Sequence, residues 1–170
     1  QVWMTENLKT IHYRNGDSIP TELSNNEWTN TTNGAYAVYD DDPANAEIYG
    51  NLYNWYTVDD DRGICPAGFH VPSDDEFMSL EIFLGMSETD ANITGFRGYI
   101  ADSIEVLLAI KYSGMRYYDG SYNYGANKSF LWLSDELNDS SAWHRLISAQ
   151  CQHLLLGLEG SYTPPQVLDK

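Results

Sequence analysis

The run Ser73-Asp74-Asp75-Glu76, followed by Phe77, Leu80, Phe83 and Leu84 and closed by Gly85, constrains this chain more than any other feature. A serine three residues ahead of a glutamate predicts a capping box. The Ser73 hydroxyl accepts from the Glu76 amide, and the Glu76 carboxylate reaches back to the Ser73 amide. Three acids in the first turn suit the positive end of the helix dipole. The apolar residues recur at helical spacing, so one face of this helix must be buried against something else.

The flanking segments suggest what that something is. Residues 44–57 read as a second helix, because Ile48, Leu52, Trp55 and Tyr56 fall on one side at helical spacing. Cys65-Pro66-Ala67-Gly68 is then an extended link between the two. Upstream, Val2-Trp3-Met4, Ile11-His12-Tyr13 and Ala35-Tyr36-Ala37-Val38-Tyr39 read as short strands, with a turn at Asn15-Gly16. Residues 86–100 read as loop. Residues 102–112 read as a short helix, with a strand as the alternative. Residues 113–145 are rich in Gly, Tyr, Asn and Ser and carry strand-like pieces at 130–133 and 142–145. The last residues include His153-Leu154-Leu155-Leu156 and Pro164-Pro165, a tail expected to fray.

Composition narrows the classes. The chain has 170 residues and a formal charge of −16, from 25 acidic and 9 basic side chains. Such a surface repels phosphate backbones and anionic lipid, so nucleic acid and membrane surfaces are poor partners. There is no apolar run long enough to span a bilayer. The aromatics are 13 Tyr and 5 Trp against 5 Phe, which favours side chains with an apolar body and a polar tip. Two cysteines, Cys65 and Cys151, are too few for a Cys-only zinc site. One disulfide and two free thiols both remain open. Because the chain begins at Gln1 without a signal-like segment, a fragment of a longer exported precursor is expected.

Three stretches carry a family resemblance: Trp3-Met4-Thr5-Glu6-Asn7-Leu8-Lys9-Thr10, Tyr49-Gly50-Asn51-Leu52-Tyr53-Asn54-Trp55-Tyr56 and Gly63-Ile64-Cys65-Pro66-Ala67-Gly68-Phe69-His70-Val71-Pro72-Ser73. With Arg116-Tyr117-Tyr118-Asp119-Gly120 and Trp132-Leu133-Ser134, they resemble the Fibrobacter succinogenes major paralogous domain. The likeness runs through residues 1–98 and continues in pieces over 114–145. It implies a secreted or lipoprotein domain of bacteria, mainly Bacteroidetes and Fibrobacteres. It also implies a C-type-lectin-like fold of the formylglycine-generating-enzyme branch. The chain departs from the family over Tyr99 to Tyr112 and again from Ser148 onward. The expected architecture is therefore α+β: two helices packed on a small, twisted, mainly antiparallel sheet with long loops, as one domain over 1–150 and a divergent tail over 151–170.

Reactive constellations are absent from the pattern. Formylglycine-generating enzymes use two cysteines near the C-terminal end, whereas Cys151 has no second thiol near it. For a secreted domain a structural Cys65–Cys151 disulfide is favoured over a catalytic thiol. It would close a loop of roughly 85 residues and stabilise by about 4–5 kcal/mol on the chain-entropy model. His12, His70, His144 and His153 lack a partner at ligand spacing. The clusters Asp40–Asp42 and Asp59–Asp61 could offer calcium hard oxygen ligands, but solvated turn acids are the preferred reading. No other cofactor is expected, and no enzyme.

The binding expectation rests on residues 116–145. Tyr117, Tyr118, Asp119, Tyr122, Asn123, Tyr124, Trp132, Trp143 and His144 combine flat aromatic area with adaptable polar groups, a paratope-like composition suited to a glycan or a surface protein. The expected function is a non-enzymatic recognition module, secreted or at the cell surface. The alternatives are a self-associating subunit or decoration of an extracellular filament, and a diversified receptor.

Overall fold

The computed structural model describes residues 1–93, 100–138, 141–148 and 168–169. Among them it is a mixed α+β chain with six helices: α1 Asn25–Asn30, α2 Pro43–Tyr49, α3 Trp55–Val58, α4 Asp74–Phe83, α5 Glu88–Ala91 and α6 Ile100–Leu108. The strands are β1 Tyr36–Ala37, β2 Leu52–Tyr53, β3 Met115–Arg116, β4 Tyr122–Asn123, β5 Lys128–Asn138, β6 Ser141–Ser148 and β7 Leu168–Asp169. They form three small antiparallel sheets, β1-β2, β3-β4 and β5-β6-β7.

The capped helix forms where its sequence predicts, but Phe83, expected on its buried apolar stripe, is 81% exposed. Ser73 accepts from the Glu76 amide at 3.2 Å, and the Ser73 amide donates to Glu76 at 2.9 Å. Phe77 and Leu80 of α4 meet Ile104 and Leu108 of α6, Leu133 of β5 and Ile147 of β6 in the main apolar cluster. Side chains alternate across β5 and β6. Leu131, Leu133, Trp143 and Ile147 turn to the helices, while Phe130, Trp132 and His144 form an aromatic group on the opposite side. Arg145 goes with the helix side. It lies 2.6 Å from Asp74 Oδ1, and its Nε donates to Glu81 at 3.3 Å. Arg145 and Glu81 are both buried, and opposite charges taken out of water are tolerated when they are paired.

Several expectations need correction. Residues 44–57 are not one helix. Gly50 stands at φ +76°, and a Cβ there would come within 2.8 Å of the Leu8 carbonyl oxygen and 2.9 Å of Asn7 Cβ. The helix stops at Tyr49, Leu52–Tyr53 pairs with Tyr36–Ala37, and α3 starts afresh under the Asn54 side chain. The two helices covering the main sheet are α4 and α6. Residues 102–108 are helical, and 86–93 include the one-turn α5 rather than loop alone. Val2-Trp3-Met4 is not a strand, and Ile11-His12-Tyr13 makes a single bridge, His12 to Ser18, across the Asn15-Gly16 turn. The tail stretches His153–Leu156 and Pro164-Pro165 lie outside the described residues, but Leu168 and Asp169 pair with Ala142 and Ser141. Cys65 is a buried free thiol; Cys151, its expected partner, lies outside the described residues.

With strands this short, side chains serve backbone groups that ladders would otherwise satisfy. Asn7 Nδ2 donates to the carbonyls of Tyr49 and Lys111, both at 2.8 Å, and the Asn51 amide donates to Leu8. Arg14 donates to the carbonyls of Cys65 and Phe69. Tyr53 donates to Thr10, and Thr57 to Ala35. The family-like stretches therefore meet one another: the first grips the second through Asn7, and Arg14 holds the third.

Asn7→Ala removes the side-chain donor of the Tyr49 carbonyl and one of the two donors of the Lys111 carbonyl, which keeps the Ser129 hydroxyl, and is expected to cost about 2 kcal/mol in urea unfolding. Ser24→Ala removes only the cap of the six-residue α1 and should cost about 1 kcal/mol. The reverse order would show that the N-terminal segment is not held through Asn7.

Candidate recognition surface

The expected binding residues divide into two groups. Tyr117, Tyr118, Asp119, Tyr122, Asn123 and Tyr124 lie together in the β3–β4 hairpin and the turn after it. Met115 faces Asn123 and Arg116 faces Tyr122 across the two strands. The reversal is made locally. The Tyr117 amide donates to Ser121, the Gly120 amide donates to Tyr117, and Asp119 Oδ1 accepts from both the amide and the hydroxyl of Ser121. The Ser121 hydroxyl and amide hold the Asp119 carboxyl below the usual carboxylate range.

Arg116 anchors this hairpin. Its Nε donates to the Gly120 carbonyl at 3.1 Å, and its Nη2 donates to Leu23 at 2.8 Å and to Asn25 at 3.3 Å. The guanidinium lies 4.5 Å from the Trp28 ring centre and 5.1 Å from that of Tyr122. Gly120, at φ +84°, sits against α1, where a Cβ would come within 2.6 Å of Asn25 Cα. Thr29 donates to the Tyr118 carbonyl at 3.0 Å. A second fixing point is Tyr122, whose hydroxyl donates to Asp41 at 2.5 Å. Burial, followed by that carboxylate, pushes the phenol above its ordinary range.

The side chains this support presents are few. Tyr118 is 62% exposed and Tyr124 38% exposed. Tyr117 is half-buried, and its hydroxyl is paired with that of Tyr124; this pairing and partial burial raise its pKa. Lys128 Nζ stands 4.4 Å from the centre of the Tyr124 ring.

Trp132, Trp143 and His144 lie outside the hairpin, and Phe130 connects Tyr124 to His144, with ring centres 5.8 Å and 5.7 Å away. Trp132 donates to the Tyr53 carbonyl at 2.9 Å and packs edge-on against Trp55. Trp143 packs into the α4–α6 core. His144 is buried beside Phe130 and Trp132. Burial, with Arg145 adjacent, lowers its pKa to about 4, so at neutral pH it is an uncharged core group. Strand alternation separates Trp143 from His144. Arg116, Trp28, Asp41 and Asn25 support the hairpin without having been singled out for it, and no local spacing marks them, because their contacts span about 80–90 positions of sequence.

Three acids of the two clusters have structural partners. Asp41 takes the Tyr122 hydroxyl, Asp42 caps α2, and Asp60 is paired with Arg62. Among the described residues there is no group of three or more His, Cys, Asp or Glu that could hold a metal ion, and no helix is long and apolar enough to cross a membrane.

His144 makes stability depend on pH. Its folded pKa is depressed from 6.5 to about 4, so its contribution is full above pH 6.5 and is lost as pH falls toward 4. His144→Gln should flatten the urea midpoint between pH 7 and pH 4.5 relative to the parent chain. An unchanged slope would show that His144 does not titrate in this way.

Residues 1–162 match the family model described as the Fibrobacter succinogenes major domain. Neither a curated protein nor a solved structure matches the chain.

Proposed function

The chain belongs to the Fibrobacter succinogenes major domain family, and from that premise we propose a non-enzymatic recognition module with a C-type-lectin-like fold, secreted or displayed at the cell surface. It binds a glycan or surface protein through Tyr118, Tyr124, Tyr117 and Asp119. The observation that carries this reading is the exposed Tyr118 at the tip of a hairpin that Arg116 and Tyr122 lock to α1 and Asp41. An aromatic face held by a rigid support loses little entropy on binding. Such a face stacks on a sugar ring or inserts into a protein surface, with Asp119 beside it as a hydrogen-bond acceptor.

Screening against a glycan array and a panel of surface proteins should find a ligand. Tyr118→Ala and Tyr124→Ala should each weaken it about tenfold without moving the melting temperature. Full binding by both variants would end the proposal for this face. Self-association is the second reading, favoured by Phe83 and Val106, which are 81% and 82% exposed on α4 and α6. Its signature is a molecular mass in light scattering that rises with concentration and reverts in Phe83→Ser.

A further inference from the structure

A cavity of about 450 Å³ opens between the N-terminal segment, the link over 64–72 and β5. This lies within the range of small-molecule sites. Trp3, Trp28, Trp132, Phe69 and Phe130 contribute to its walls, so a flat ring would find apolar and π surface there.

The charged groups of the lining are either committed or at the rim. Arg116 is buried, donates to Gly120, Leu23 and Asn25, and is flanked by the Trp28 and Tyr122 rings. Gln1, Glu6 and His70 are exposed and Glu76 is half-buried, so these residues mark the solvent side. The Glu76 carboxylate takes the Ser73 amide and His70. The Gln1 side-chain amide donates to the Glu76 carbonyl at 3.4 Å, which holds the α-ammonium of Gln1 near that carboxylate's helix. Glu6 stands 3.7 Å from Lys9. The rim therefore sets positive groups against negative ones and favours neither sign in a ligand. Inside, burial raises the Cys65 pKa, which keeps the thiol neutral.

The neutral polar side chains of the lining serve the fold. Asn7 donates to Tyr49 and Lys111, Tyr53 to Thr10, and Trp132 to Tyr53, while the Ser113 hydroxyl pairs with that of Ser129. A ligand charge drawn between these walls would leave water and meet no counter-charge free to pair with it. A ligand dense in hydroxyls would lose hydration in the same way, with most side-chain partners already taken. Ring surface, in contrast, has its complement on several sides.

We infer that this cavity is a binding site for a neutral aromatic molecule with few polar groups, its ring system against the tryptophan and phenylalanine walls. The inference does not rest on the recognition reading of the Tyr118 face.

The test is calorimetric titration of the chain with 2-naphthalenemethanol, 2-naphthoate and 2-naphthylmethylamine, which share a ring system and differ in charge. The alcohol is expected to saturate and to keep its affinity as salt is raised. Each ion is expected to bind about tenfold more weakly, because its charge loses water without gaining a partner. In proton–nitrogen NMR spectra the alcohol should shift the indole signals of Trp3 and Trp28 more than that of Trp143, which lies outside the lining. Met4→Trp, which adds bulk to the wall, should abolish binding of the alcohol. Should that variant lose its circular dichroism signal, Val58→Phe serves in its place, and should both unfold, the NMR shifts of the parent chain decide. Equal or tighter binding of either ion, no saturable binding of the alcohol, a larger shift at Trp143, or undiminished binding to a folded wall variant would overturn the inference. Because no glycan or protein ligand enters the experiment, its outcome is distinguishable from failure of the recognition surface.

Discussion

The hydrogen bonds of Asn7 to the carbonyls of Tyr49 and Lys111 are what the assembly of this molecule turns on. Five of its described strands, β1 to β4 and β7, are only two residues long. Such ladders satisfy few backbone groups, and a two-stranded ribbon is marginal by itself. A carbonyl left without a donor inside the protein costs about 1–3 kcal/mol. The chain meets this cost with side-chain amides and guanidiniums. Asn7, Arg14, Tyr53 and Thr57 each donate to a backbone carbonyl of another segment, and Arg116 does the same for the hairpin. The segment carrying Asn7 is thereby tied at once to the end of α2 and to the approach to β3.

This explains which parts were legible in the sequence. The α4 helix was readable because its cap and dipole acids are local, whereas its apolar stripe placed Phe83 inside and the fold leaves it 81% exposed. The Asn15-Gly16 turn was readable for the same reason. The interval 44–57 misled, since Ile48, Leu52, Trp55 and Tyr56 keep helical spacing while Gly50 breaks the helix. What forces the break is the Leu8 carbonyl some forty residues away, and no periodicity contains that contact. Ile48 accordingly ends 55% exposed. Likewise, composition marked residues 116–145 as aromatic and polar, but it could not separate Tyr118, which faces solvent, from Trp143, which faces the core. That distinction is set by strand alternation and by the register Trp132–His144.

The charged side chains show the same division between local and long-range origin. The acids at 40–42 and 59–61 looked like solvated turns, and among them Asp42 and Asp60 serve their own neighbourhoods. Asp41 instead receives Tyr122 from far along the chain. Arg116 and Arg145 resemble any basic residue in a strand, yet both are buried. One is neutralised by Asp74 and Glu81. The other has no carboxylate in its hydrogen-bond set and is held by carbonyls, an amide and two rings.

That difference matters for recognition. A buried guanidinium held by neutral acceptors is fixed in direction, because its donors are spread over Gly120, Leu23 and Asn25 and cannot rotate together to another set. The hairpin tip is therefore rigid for a reason independent of any ligand. Tyr118 projects from that tip without a share in the apolar clusters, so its exposure is not repaid within the chain. The aromatic lining of the cavity differs, since Trp132 and Trp3 also pack against Trp55 and Phe77. Changing the cavity walls must disturb the fold to some degree, whereas the tip can vary while Arg116 and Gly120 stay in place. A protein built this way can alter its outer contacts without rebuilding the frame that presents them.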